Sequence, residues 1–328
     1  MELLWAGAIA LAVLLYVVLD GFDLGIGMLF PFAQDERERQ TMMNAIAPVW
    51  DGNETWLIVT GASLFAAFPT VYAILLPAFY LPLILMLMAL ILRGVAFEFR
   101  HKTTRMRWVW DAGFVGGSYV ATFCQGAAVG AIVAGLPIEG TRFAGNSWSW
   151  LGAFPLVCGF GLCLGYALLG ATWLAAKTEG RVRDLGYALA PKLLLGVIVF
   201  LAIAFVQALF LESRIMDRWL DRPVLLIFPI LGNIAAWMLV RTLRRRQDPW
   251  PFRYVAAIFV LAFGTLAVSF WPYMIPFSIT IEQAAAPPLS LSFLFWGAGL
   301  FVYPLTLLYT GFVYWVFRGK VGADAGYH

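Results

Sequence analysis

The chain has 328 residues, of which 62% are hydrophobic and only 12% charged, with a formal net charge of +3. An ordinary soluble domain is about half apolar and about one quarter charged, so this composition excludes one. The modest charge argues against a nucleic-acid partner, and the reading left is an all-α, polytopic integral membrane protein.

Nine apolar runs follow one another, near residues 3–30, 56–74, 76–97, 114–136, 150–175, 193–210, 224–243, 255–273 and 289–317. Each is long enough to cross a hydrocarbon core of about 30 Å, which needs about 20 helical residues. Runs two and three form one block divided only by Pro69 and Pro77, where a tight turn is expected. The loops are short, so the nine helices are read as one transmembrane domain, 1–328, packed as helical bundles.

Alternate loops differ in charge. Seventeen Lys and Arg residues fall on one side, while Arg142, Arg214, Arg218 and Arg222 fall on the other. The positive-inside rule therefore places the N-terminus outside and the C-terminus in the cytoplasm, which requires an odd number of spans. The first run is not read as a cleavable signal, because its only early charge is Glu2 and its far end is rich in Asp and Gly.

That first run carries Asp20 and Asp23, one helical turn apart. Ionisable groups at membrane depth are costly and need a partner or a water-filled path. Gly21, Gly25 and Gly27 beside them allow another backbone to approach closely. Asp51 and Glu54 are also one turn apart, at the cytoplasmic start of the second helix, with Trp50 and Asn53 next to them. Arg93 lies among apolar residues near the cytoplasmic end of the third helix, and by depth Asp23 or Asp20 is its expected counter-charge. Four carboxylates against one arginine leave an acidic excess. The excess reads either as a polar network that fixes packing or as a proton relay opening on the cytoplasm.

Trp50-Asp51 before the second helix is echoed by Trp110-Asp111 before the fourth. Here the expectation is a helix start, with the Asp as N-cap and the Trp in the interfacial belt. The three cysteines fall inside apolar runs and read as small core residues. The only histidines are His101 and His328, so no intramembrane pair can hold a haem, and no metal-ligand spacing occurs. No metal site is expected, and the chain alone is not read as a redox centre.

The motif Asp20-Gly21-Phe22-Asp23-Leu24-Gly25 and the stretch from Asn44 to Leu57, with its core Pro48-Val49-Trp50-Asp51-Gly52-Asn53-Glu54-Thr55-Trp56, resemble subunit II of the cytochrome bd-type quinol oxidases. The resemblance continues through Arg93-Gly94-Val95-Ala96-Phe97-Glu98-Phe99-Arg100, Trp271-Pro272-Tyr273-Met274-Ile275-Pro276 and Tyr314-Trp315-Val316-Phe317-Arg318-Gly319-Lys320. It departs at Glu282-Gln283, where many relatives have Trp-Asp.

The resemblance implies a bacterial cytoplasmic-membrane heterodimer in which subunit I holds the haems b and d and the quinol-oxidising loop, while subunit II binds no haem. A small single-helix subunit is a further partner it allows. It also implies that Asp23, Trp50, Asp51, Arg93 and Asp111 belong to a polar network and a cytoplasmic proton path, with Asp20 matching as well. In some relatives a structural quinone-like lipid occupies subunit II, and Trp50 is the expected contact. Two alternatives from other classes are a proton- or ion-coupled transporter and a purely structural scaffold that stabilises its partner and binds membrane lipids.

Overall fold

In hydrocarbon, backbone N–H and C=O groups must be satisfied within their own segment, so apolar runs of this length become helices. The computed structural model of the chain describes residues 1–103, 105–211, 219 and 222–322. Its long elements are α1 (Glu2–Leu29), α3 (Trp50–Ala67), α5 (Tyr80–Arg100), α6 (Arg107–Ala134), α7 (Ala153–Lys177), α8 (Gly180–Leu211), α9 (Ile227–Arg244) and α10 (Trp250–Phe270). Shorter α2 (Glu36–Asn44) and α4 (Pro69–Ala78) flank α3. The last span, α11, runs over Pro288–Val316 and contains a π turn at Phe295–Gly299. Two small antiparallel pairs, Ile138–Glu139 with Arg142–Phe143 and Tyr273–Ile275 with Ile279–Thr280, close two of the loops. Arg214 and Arg218, two of the four basic residues assigned to the outer side, lie outside the described residues.

Among the described residues, eight helices are long and apolar enough to cross a membrane. Helix α3 is not among them, because Asp51, Asn53 and Glu54 occupy its first turns. It nonetheless runs beside α1 over the same depth. At one end Asn53 hydrogen-bonds Asp23, and at the other Ala67 and Phe68 share a buried cluster with Trp5. Helix α3 thus lies against α1 along most of its length.

The boundary between the second and third runs differs from the single turn expected. Helix α3 stops at Ala67, Phe68 leaves the helical region (φ −133°, ψ 63°), and Pro69 opens α4. Proline fits the first helical position, where its missing N–H is not needed, and it pushes the preceding residue out of the α conformation. A second break at Phe79 leads into α5. Several helices also extend into polar sequence beyond their apolar runs, α6 starting at Arg107 and α8 at Gly180.

Helix α1 is the axis of the fold, and every residue from Asp20 to Leu29 is buried. Its Gly25 lies directly on α7: a Cβ there would stand 1.9 Å from the Tyr166 carbonyl oxygen, and one on Gly170 would meet the Gly25 backbone at 2.6 Å. The small residues let the two backbones touch. Below this contact Phe22 stacks on Trp173 at 4.1 Å and meets Phe252 and Tyr314 edge-on, which ties α10 and α11 to the same axis.

Candidate functional site

Helices α1, α3 and α5 bring their charged residues together where they cross. Asp20, Asp23 and Arg93 are almost wholly enclosed, with relative exposures of 0%, 0% and 1%. Arg93 Nη1 donates to Glu54 Oε1 at 2.6 Å and to Asp20 Oδ1 at 3.4 Å. Asp20 and Glu54, not Asp23, are therefore the hydrogen-bonded counter-charges of Arg93. Asp23 takes a 2.7 Å hydrogen bond from Asn53 Nδ2, and Tyr314 donates its hydroxyl proton to Asn53 Oδ1 at 3.0 Å. Asn53 also donates to the Leu19 carbonyl at 3.2 Å. It is a hub between α1, α3 and α11.

Three carboxylates converge on one guanidinium, and the hydrogen bonds within the chain do not satisfy them all. Asp20 Oδ2, Asp23 Oδ1, Arg93 Nε and Trp56 Nε1 are buried without a hydrogen-bond partner among the described residues. Buried polar groups normally find partners, because leaving one unpaired costs about 1–3 kcal/mol and more for a charge. A group of carboxylates around a fixed cation, with acceptor positions to spare, can take up and pass on protons.

Asp51 sits in the first turn of α3, exposed and outside this hydrogen-bonded set. Of the two carboxylates predicted to gather at the start of that helix, only Glu54 turns onto Arg93. Trp50 is half-buried; its ring stands 5.3 Å from that of Phe97 and within van der Waals range of Gly94, next to Arg93 in sequence. Trp50 thereby locks the start of α3 to α5.

Asp111 does not cap a helix, contrary to expectation. Met106 holds the N-cap position of α6 without a side-chain cap, and Asp111 lies inside the helix. Its carboxylate instead accepts from Arg100 Nε and, at 3.3 Å, from Arg39. Arg100 also grips Glu36 with both terminal nitrogens, at 2.8 and 2.9 Å, and its guanidinium lies 5.2 Å from the Phe30 ring centre. A buried guanidinium requires counter-charges, and that need outweighs capping here. The hydrogen bonds from Arg100 hold the Glu36 carboxyl below its ordinary value. This second ion network clamps α2 to α5 and α6 and is separate from the Arg93 cluster.

Sequence reasoning missed several members. Tyr314 appears in the sequence only as part of an aromatic helix end. Tyr16 stands one turn before Asp20, and Gln125 is the one amide side chain in α6; both spacings were available as signals. Among the described residues, no group of three or more His, Cys, Asp or Glu is placed to hold a metal ion.

The fold and this cluster define a polytopic helical membrane protein whose buried charges gather near one end of its central helix. The model of the family described as "Cytochrome bd terminal oxidase subunit II" matches residues 1–317. The chain is 30% identical to the cytochrome bd-I ubiquinol oxidase subunit 2 of Escherichia coli (strain K12), over 98% of this chain and 95% of that one. It is 31% identical to a probable cytochrome oxidase subunit 2 of Haemophilus influenzae, over 99% and 96%, and 28% identical to the cytochrome bd ubiquinol oxidase subunit 2 of Bacillus subtilis, over 97% and 96%. The fold matches a chain in the structure of the bd oxidase from Geobacillus thermodenitrificans with a TM-score of 0.76 at 15% identity, covering 97% of each chain. The chain belongs to the cytochrome bd terminal oxidase subunit II family. It is accordingly a subunit of a terminal quinol oxidase and an integral protein of the bacterial cytoplasmic membrane.

Proposed function

We propose that this chain supports a haem-bearing subunit I in oxidising quinol and reducing oxygen to water, and that its buried carboxylates carry protons inward from the cytoplasm. Oxygen reduction consumes protons, and a buried catalytic centre needs a polar path to receive them. The observation that carries the reading is that Asp20, Asp23 and Glu54 gather around the single guanidinium of Arg93, an excess of two carboxylates, with Asp23 Oδ1 buried and unpaired among the described residues. A network built only for packing gains nothing from unpaired charge, since apolar residues of similar volume are often as stabilising. In this reading Asp51 and Glu54 face the cytoplasmic mouth, Asp23 passes protons inward, and Arg93 balances the charge.

The haems b and d belong to subunit I, and a quinone-like lipid beside Trp50 completes the proposed assembly. The test is oxygen consumption by the purified complex carrying Asp51→Asn or Asp23→Asn. Slowed turnover with normal haem content supports the proton path, whereas loss of subunit I from the variants supports a packing role.

A further inference from the structure

Asp20 Oδ2 is a buried carboxylate oxygen with no hydrogen-bond partner among the described residues. One turn before it on α1, Tyr16 ends a run of three uncharged polar side chains from three helices, none of which the proposed path uses. Tyr166 on α7 donates its hydroxyl proton to Gln125 Oε1 at 3.1 Å. Gln125 Nε2 on α6 donates to the Tyr16 hydroxyl oxygen at 2.7 Å. Tyr16 on α1 is buried and stands one turn before Asp20 on the same face of that helix.

The order of donors gives this chain a direction. A phenol has a single proton. Because the Tyr16 oxygen accepts from Gln125, its own proton is free for another acceptor, and one turn along the helix stands the unpaired Asp20 Oδ2. The Gln125 amide, oriented with Oε1 on Tyr166 and Nε2 on Tyr16, leaves this proton free. With the amide turned the other way, Tyr16 would donate to Gln125 and Asp20 Oδ2 would have no donor at all, a costly state for a buried carboxylate oxygen.

We infer that Tyr16 is a positioning residue of the cluster: aimed by Gln125 and Tyr166, it donates to Asp20 Oδ2 and holds Asp20 as the fixed carboxylate partner of Arg93. Asp23 and Glu54 are then the two members left to exchange protons. The inferred hydrogen bond is independent of the proton-path reading, while its effect on turnover rests on that reading.

The experiment is infrared spectroscopy on the assembled oxidase. The Asp20 carboxyl band is identified as the one that Asp20→Asn removes. Tyr16→Phe deletes one hydroxyl without changing the ring, and it is expected to shift this band and slow oxygen consumption several-fold at normal haem content. Gln125→Leu is expected to shift the band in the same sense by a smaller amount. Tyr119→Phe, whose hydroxyl instead meets the Met28 carbonyl at 3.4 Å, serves as the control and is expected to leave the band in place. An unshifted band in Tyr16→Phe overturns the inference. A shifted band with unchanged oxygen consumption upholds the positioning of Asp20 and counts against the proton path.

Discussion

Asp23 and Asn53 are joined by a 2.7 Å hydrogen bond, and through it Asp23 is anchored by a neutral amide rather than by a charge. Asp20, one turn away on the same helix, meets Arg93 instead. Two carboxylates that look alike in sequence thus have different surroundings. They should respond differently to the same substitution.

Asp23→Asn keeps shape and leaves an amide oxygen to accept from Asn53, so the complex should assemble with stability changed by no more than about 1 kcal/mol. Turnover should fall, because an amide cannot take up a proton. Thermal unfolding of the detergent-purified complex, recorded beside its oxygen consumption, separates the two effects.

Removing the cation has the opposite profile. Arg93→Met leaves Asp20, Asp23 and Glu54 close together without a counter-charge. Breaking a buried ion pair on one side costs about 3–5 kcal/mol. The variant should accumulate poorly in membranes, and adding Asp20→Asn and Glu54→Gln should restore much of the yield. Quantitative immunoblotting of membranes reads this directly.

The contact of α1 with α7 is equally specific. Gly25→Ala would put a methyl group 1.9 Å from the Tyr166 carbonyl oxygen, and backbone cannot move aside as a flexible side chain can. Overpacking of this kind costs about 1–3 kcal/mol or more, so reduced assembly is expected. Gly7→Ala, on the same helix with open space around it, should be harmless. Comparing the haem content of the two variants checks the difference.

Two carboxylates outside the apolar spans, Glu36 and Asp248, set an acid limit. Hydrogen bonds from Arg100 hold Glu36 below its ordinary value of 4.5. At Asp248 burial pushes the carboxyl up, but hydrogen bonds from Arg183, Tyr187 and Lys320 outweigh it and leave it below 3.8. A group with a depressed folded value contributes stability above its unfolded value and loses it as pH falls through the folded one. Stability from these clamps should therefore be flat at neutral pH and decline only below about pH 4. Melting curves across an acid series, compared with those of Asp248→Asn, would show a smaller acid-side decline in the variant.

Much of this was legible in the sequence, for physical reasons. Apolar runs report membrane helices because lipid leaves the backbone no other choice, and the buried positions of Asp20, Asp23 and Arg93 follow from their apolar neighbours. The pairing among them was not legible. Depth alone does not tell which of two carboxylates one turn apart will meet Arg93, since that depends on how α1 is rotated against α5. The rotation is set by Gly25 meeting Gly170 on α7, a contact far away in sequence. Asp111 misled because an Asp near a helix start reads as a cap, whereas the buried Arg100 supplies a stronger claim on it. The ends of α6 and α8 were misplaced because their basic first turns remain helical beyond the apolar run.

The most direct test of the central claim is time-resolved proton uptake from the cytoplasmic side during a single turnover of the assembled oxidase, comparing the unaltered complex with Asp23→Asn at equal haem content. If the carboxylates of this chain carry the protons, uptake slows in the variant by the same factor as oxygen reduction. Uptake at the unaltered rate in Asp23→Asn would contradict the account and leave the cluster a packing device.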